Sequence, residues 1–214
     1  MSIIHFGIKM KKPEEELRLT RENYIQYHDD GSPIFSFGPM DDERLKNHIH
    51  RCMTNFDLNM KFFKSLDREE FSEHMNSYLS THPSFVEAKD LWEWNRVPAV
   101  YLLVLGEYKQ VYLGTTKNLK QRVHYHWLHK KEIDRLIFGG VTGSRLSIDS
   151  FRALDTTMIY ASPTAEENKF INEERAMTLD NRFRLNRTAT GLLEGGLKEA
   201  IENRETRNLH GIDF

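Results

Sequence analysis

Cysteine is almost missing from this 214-residue chain. Cys52 stands alone, which excludes an internal disulfide and any zinc site built on several cysteines. No apolar run approaches the roughly 18 residues that a membrane-spanning helix needs. Met1 to Lys12 is too poor in apolar residues to form the hydrophobic part of a secretory leader. Internal repeats and low-complexity tracts are absent as well. With 39% hydrophobic and 29% charged residues, the composition is that of a folded protein rather than a disordered one. The expectation is a soluble, cytoplasmic protein of one to two domains, at roughly 150 residues per domain.

A large excess of one charge is lacking too. The formal net charge is −2, a balance that by itself speaks against a nucleic-acid partner. The distribution says something different. Residues 1–96 carry 13 basic against 17 acidic residues, whereas residues 97–187 carry 14 against 10. The excess is densest over 107–145, where Lys109, Lys117, Lys120, Arg122, Lys130, Lys131, Arg135 and Arg145 face three acids. A local basic excess on a near-neutral chain is the pattern of an electrostatic footprint for phosphates, although a solvated helix face produces it as well.

Turn signals at Asp30-Gly31-Ser32-Pro33 and Gly38-Pro39 separate short β-prone runs, Ile3 to Ile8 and Ile34 to Phe37. From Asp41 the period becomes helical. Leu45, Ile49, Met53 and Phe56 recur every three or four residues, and Leu58, Phe62, Phe63 and Leu66 continue the series. Phe71, Met75 and Leu79 form a second stripe, which His82-Pro83 ends, and a third short helix is expected from Ser84 to Trp94.

At Pro98 the texture changes. Ala99 to Leu105 and Val111 to Leu113, with Gly106-Glu107-Tyr108-Lys109 between them, read as a β-hairpin. A helix follows from Lys117 to about His129, then a strand from Thr156 to Ala161. Further helices are expected from Pro163 to about Leu179 and from Leu192 to Asn203. The expected organisation is a mostly helical accessory module over 1–96, an α/β domain over 97–190 and a C-terminal helix or tail over 191–214.

Each strand of the hairpin carries a tyrosine, Tyr101 and Tyr112, and either one alone reads as packing. The following helix says more. Leu119, Val123 and Trp127 form its buried stripe, and Arg122, His126 and His129 form the adjoining one. A guanidinium fork suits phosphate oxygens and an imidazole moves protons near neutral pH. A zinc site made of His124, His126 and His129 is disfavoured, because positions 124 and 126 point in different directions on a helix.

The run Ala99-Val100-Tyr101, ten residues of hairpin, then Tyr112-Leu113-Gly114 and Asn118-Leu119-x-x-Arg122-x-x-x-His126 resembles the core of the GIY-YIG nuclease family. Ala, Val and Leu stand where that signature has Gly, Ile and Ile. Glu167-Asn168-Lys169-Phe170-Ile171 and Arg182-Phe183-Arg184-Leu185-Asn186 are similar to its later elements. The resemblance covers about 98–187.

It implies an α+β (α/β) fold with a small, mainly antiparallel three-stranded sheet flanked by helices. It also implies a Mg²⁺ ion (Mn²⁺ substituting) held by Glu167, with Glu166 the second candidate. On the residues alone, Thr164-x-x-Glu167 also has capping-box spacing. Arg122 would hold the scissile phosphate. Tyr101 would be the general base, Tyr112 its hydrogen-bonded assistant, and His126 the group that orients Tyr112 or takes its proton. Asn186 would position the phosphate or the surroundings of Glu167. Lys117, Lys120, Lys130 and Arg184 are the candidate DNA contacts.

The expectation is therefore a metal-dependent DNA endonuclease of restriction or phage/mobile-element type, acting on double-stranded DNA and possible as a homodimer. No organic cofactor and no membrane is involved in that reading. Its alternatives are a catalytically silent DNA-binding or scaffold protein, and a structure-specific repair or RNA nuclease.

Overall fold

The computed structural model describes residues 2–36, 38, 40–137, 141, 144–164, 179–180 and 182–185. The expected helices at 163–179 and 192–203 lie almost wholly outside them, as do Glu166, Glu167 and Asn186.

Within these residues the fold is mixed α+β, with antiparallel sheets. A short N-terminal hairpin pairs β1 (Ile3–His5) with β2 (Ile8–Met10). Two helices follow, α1 (Asp42–Ser65) and α2 (Arg68–Thr81). Asp41 and Asp67 cap them by accepting the backbone N–H of Arg44 and Glu70. The main sheet has the order β3-β6-β4-β5, from β3 (Val86–Glu87), β4 (Ala99–Leu105), β5 (Gln110–Thr116) and β6 (Met158–Pro163). Helix α3 (Leu119–Leu128) follows β5.

The expected three strands are four. The extra one, β3, lies where a third helix was expected. Val86 and Glu87 pair with Ala161 and Tyr160, and the Ala88 N–H reaches the Ile159 carbonyl. Two exposed residues are too few to show a period of two, and β3 exists only because β6 offers a free edge. Asp90 then accepts the Trp92 N–H, which makes 91–96 a series of turns rather than a helix. The expected strand at Ile34 is also a loop. Its backbone joins distant segments, donating to Gln26 and accepting from Ile133.

Strand β4 is central and wholly buried, so both of its faces carry core. Ala99, Tyr101, Leu103 and Leu105 pack with Cys52, Phe56 and Phe63 of α1 and with Leu119, Val123 and Trp127 of α3. Val100, Leu102 and Val104 pack with Phe71, Met75 and Tyr78 of α2 and with Phe183. The result is three layers, with α1 and α3 on one face and α2 on the other. Residues on both sides of Arg96 share the first cluster, which also holds Leu17 and Tyr24.

On α1 the buried line runs Cys52, Phe56, Asn59, Phe63, while Leu58 and Phe62 stay exposed, contrary to the stripe expected there. Two buried asparagines hold the helix in that rotation. The Asn59 amide donates to the Asn55 and Ser144 carbonyls, and Asn55 donates to the Tyr24 hydroxyl.

Candidate functional site

The hairpin register sets the two tyrosines on one face of the sheet. Tyr101 lies opposite Gly114, and Tyr112 lies opposite Leu103. Residues two apart share a face, so the Tyr101 ring extends across the Gly114 position towards Tyr112, with ring centroids 6.2 Å apart. A Cβ on residue 114 would lie 2.5 Å from the Tyr101 hydroxyl and 2.8 Å from Tyr112 Cε1. Glycine is therefore required here by close approach. We expect Gly114→Ala to cost about 1–3 kcal/mol in denaturant-induced unfolding by overpacking. It should also displace both rings; an alanine variant as stable as wild type would show that the rings yield without cost.

Helix α3 supplies the other half. The Asn118 side chain accepts the Gln121 N–H and caps a helix that starts at Leu119, two residues after Lys117, which stays in the preceding loop and is exposed. Leu119, Val123 and Trp127 fix the buried stripe, and that rotation carries His126 inward and Arg122 to the margin. The His126 Nε2 atom lies 2.9 Å from the Tyr101 hydroxyl, and its Nδ1 lies 2.6 Å from Asp149 Oδ1. The hydrogen bond expected between His126 and Tyr112 is thus made with Tyr101 instead. Tyr112 meets His126 edge-on, with centroids 5.4 Å apart.

The electrostatics fix the direction of this chain. Burial pulls His126 below the ordinary histidine value against the opposing pull of Asp149, so the ring is neutral at neutral pH. Burial also opposes the charge on Asp149, but the His126 hydrogen bond and the Lys131 ammonium, 3.7 Å away, prevail and hold the carboxyl at about 2. Asp149 is then an acceptor, His126 Nδ1 carries the proton, and Nε2 accepts from the Tyr101 hydroxyl. The Arg122 guanidinium lies close enough to favour charge on the same phenol, and the phenol in turn favours the charge on Arg122.

Burial, reinforced by Tyr112, pushes the Tyr101 phenol well above its usual pKa despite Arg122. Tyr101 is 0% exposed, whereas Tyr112 and Arg122 are half-buried. As the group that touches an attacking water, Tyr101 is therefore poorly placed: it is neutral, hydrogen-bonded to His126 and buried. Tyr112 is the phenol at the margin.

The structure brings Tyr101, Tyr112, Arg122 and His126 together. Asp149, which sequence reasoning missed, joins them. It lies in a single turn of 3-10 helix (Ile148–Ser150), where no periodicity marks it, 23 residues beyond its histidine.

The candidate DNA contacts diverge. Lys130 is exposed next to the site, while Lys120 lies over the exposed Trp92 ring. Arg184 lies beside β5, where Val111 bridges it in parallel and Arg145 donates to its carbonyl. Of the other basic residues in 107–145, Lys131 joins Asp149, and Lys109 turns away to the Phe63 carbonyl at the end of α1.

Among the described residues no three His, Cys, Asp or Glu side chains converge as metal ligands. The one carboxylate in the cluster, Asp149, is engaged by His126 and Lys131. These residues do not fit a metal centre by themselves, and the expected ligand, Glu167, lies outside them. Nor is any helix long and apolar enough to cross a membrane among the described residues. No protein-family model matches the chain, and comparisons with curated proteins and with solved structures gave no match either.

Proposed function

We propose that this protein is a divalent-metal-dependent endonuclease that hydrolyses DNA phosphodiester bonds. The observation that carries the reading is the buried chain Tyr101–His126–Asp149, with Tyr112 packed edge-on against it and the Arg122 charge beside both phenols. A guanidinium is usually a mobile surface group. Here it is held at a half-buried margin beside a phenol, which is the preorganisation that a phosphate site requires.

Arg122 binds the scissile phosphate and offsets the negative charge that develops on its oxygens during in-line attack. Tyr112 faces the same point from β5 and orients the attacking water. Tyr101, His126 and Asp149 are positioning residues beneath them. Burial favours the neutral form of Arg122 less than Tyr101, Tyr112 and Asp149 favour its charge, so the guanidinium stays charged throughout. A Mg²⁺ ion at Glu167, when bound, supplies Lewis-acid polarisation of the phosphate.

The test is nicking of supercoiled plasmid with Mg²⁺ or Mn²⁺, beside a chelated control and the Glu167→Ala variant. We expect metal-dependent nicking that Glu167→Ala loses. DNA binding should weaken steeply between low and physiological salt, because Arg122, Lys117, Lys120 and Lys130 displace counterions. Binding without nicking under any metal would leave a silent DNA-binding protein.

A further inference from the structure

Helix α3 orders its side chains by depth. At roughly 100° per residue, Val123 and Trp127 face the core, His126 comes next, then Arg122, then His129, and Tyr125 is outermost. Tyr125 is 47% exposed. Its ring is stacked on that of His129, 4.7 Å between centroids and 19° between planes. The Arg122 guanidinium carbon lies 5.7 Å from the Tyr125 centroid. Lys130 follows immediately and is exposed, and Lys131 reaches Asp149.

Stacking accounts for the ring pair but not for its place. On the outer face of α3 the Tyr125 ring fills no core and presents its surface to solvent. A planar π-surface flanked by cations is the surface that single-stranded nucleic acid uses, with phosphates on the cations and bases on the rings.

We propose that the Tyr125–His129 stack is a binding platform for an unstacked nucleobase of DNA, adjacent to the phosphate held by Arg122. This rests on the reading of Arg122 as the phosphate-holding group. It narrows the substrate to DNA with a base available outside the helix: a single strand, a frayed end or a distorted duplex.

The experiment measures binding alone, with divalent ions chelated, so that cleavage does not enter. A fluorescent single-stranded deoxyoligonucleotide is titrated with wild-type protein and with Tyr125→Ala, Tyr125→Phe and His129→Ala. The stack predicts that Tyr125→Ala weakens binding about 5- to 150-fold. Tyr125→Phe, which keeps the ring, should stay within about twofold of wild type. The loss should shrink on an oligonucleotide with abasic positions and on a fully paired duplex.

Equal affinity of wild type and Tyr125→Ala, with both shown folded by near-ultraviolet circular dichroism, would overturn the platform. So would a loss that is the same with and without bases, because it would then report on the phosphates. If the plasmid shows no nicking but the ring-dependent binding persists, the platform stands and the nuclease reading falls.

Discussion

Replacing Arg122 by alanine should lower the single-turnover nicking rate by about 10²–10³ while leaving the protein folded. Arg122 is half-buried beside the Tyr101 and Tyr112 phenols, so its charge is already in place when substrate arrives. A donor fixed in advance acts on the transition state without reorganisation, which is why a single guanidinium carries so large a factor. Arg122→Lys should recover only part of the rate. An ammonium keeps the charge but cannot bond two phosphate oxygens side by side as a planar fork does. A loss smaller than tenfold in the alanine variant, measured at saturating metal, would remove Arg122 from the reaction.

The second large effect is expected at Asp149. Asp149→Ala strips the partner from His126 Nδ1, leaving a buried N–H unsatisfied at about 1–3 kcal/mol of stability. His126 is then free to turn, and Tyr101, beside Arg122, loses its acceptor. Misplacement of that order costs about 10²-fold in rate.

Acid separates this role from simple packing. The folded pKa of Asp149, about 2, lies below the unfolded carboxylate value of 3.8, so the stabilisation it gives is present above pH ~4 and lost as pH falls towards 2. His126 adds to the same trend. Its folded pKa is below 6.5, so the unfolded state takes up its proton first and stability declines as pH falls beneath that value. Thermal unfolding of wild type should therefore decline steeply between pH 4 and 2, and Asp149→Asn should flatten that step. An unchanged acid limb in the asparagine variant would mean that the carboxylate is not coupled to His126 as described.

The hairpin, the helix after it and the pairing of Tyr101 with Tyr112 were legible in the chain because each rests on a local signal. A run of seven apolar residues, a turn and a 3.6-residue stripe all lie within thirty positions. What escaped depends on distance. Asp149 earns its place only through a hydrogen bond across 23 residues, and β3 only through pairing with a strand 70 residues later. The rotation of α1 was misread for a related reason. Asn55 and Asn59 are polar, so a hydrophobicity pattern places them outside, whereas their amides are satisfied inside by Tyr24 and Ser144. The burial of Tyr101 was equally invisible, since a tyrosine in a strand carries no mark of which hydroxyl reaches solvent.

Strand β3 also bears on how the chain can be cut. Excising everything before Val97 to isolate the tyrosine-bearing half would strip β6 of the backbone partner along its outer margin and take Leu17, Tyr24, Cys52 and Phe56 from the layer above Tyr101. The unpaired amides of Tyr160 and Ala161 would then template addition of a foreign strand, the usual beginning of self-association. The first 96 residues thus cover the tyrosine-bearing half, and a minimal fragment that begins at the motif would trade a paired sheet margin for a sticky one.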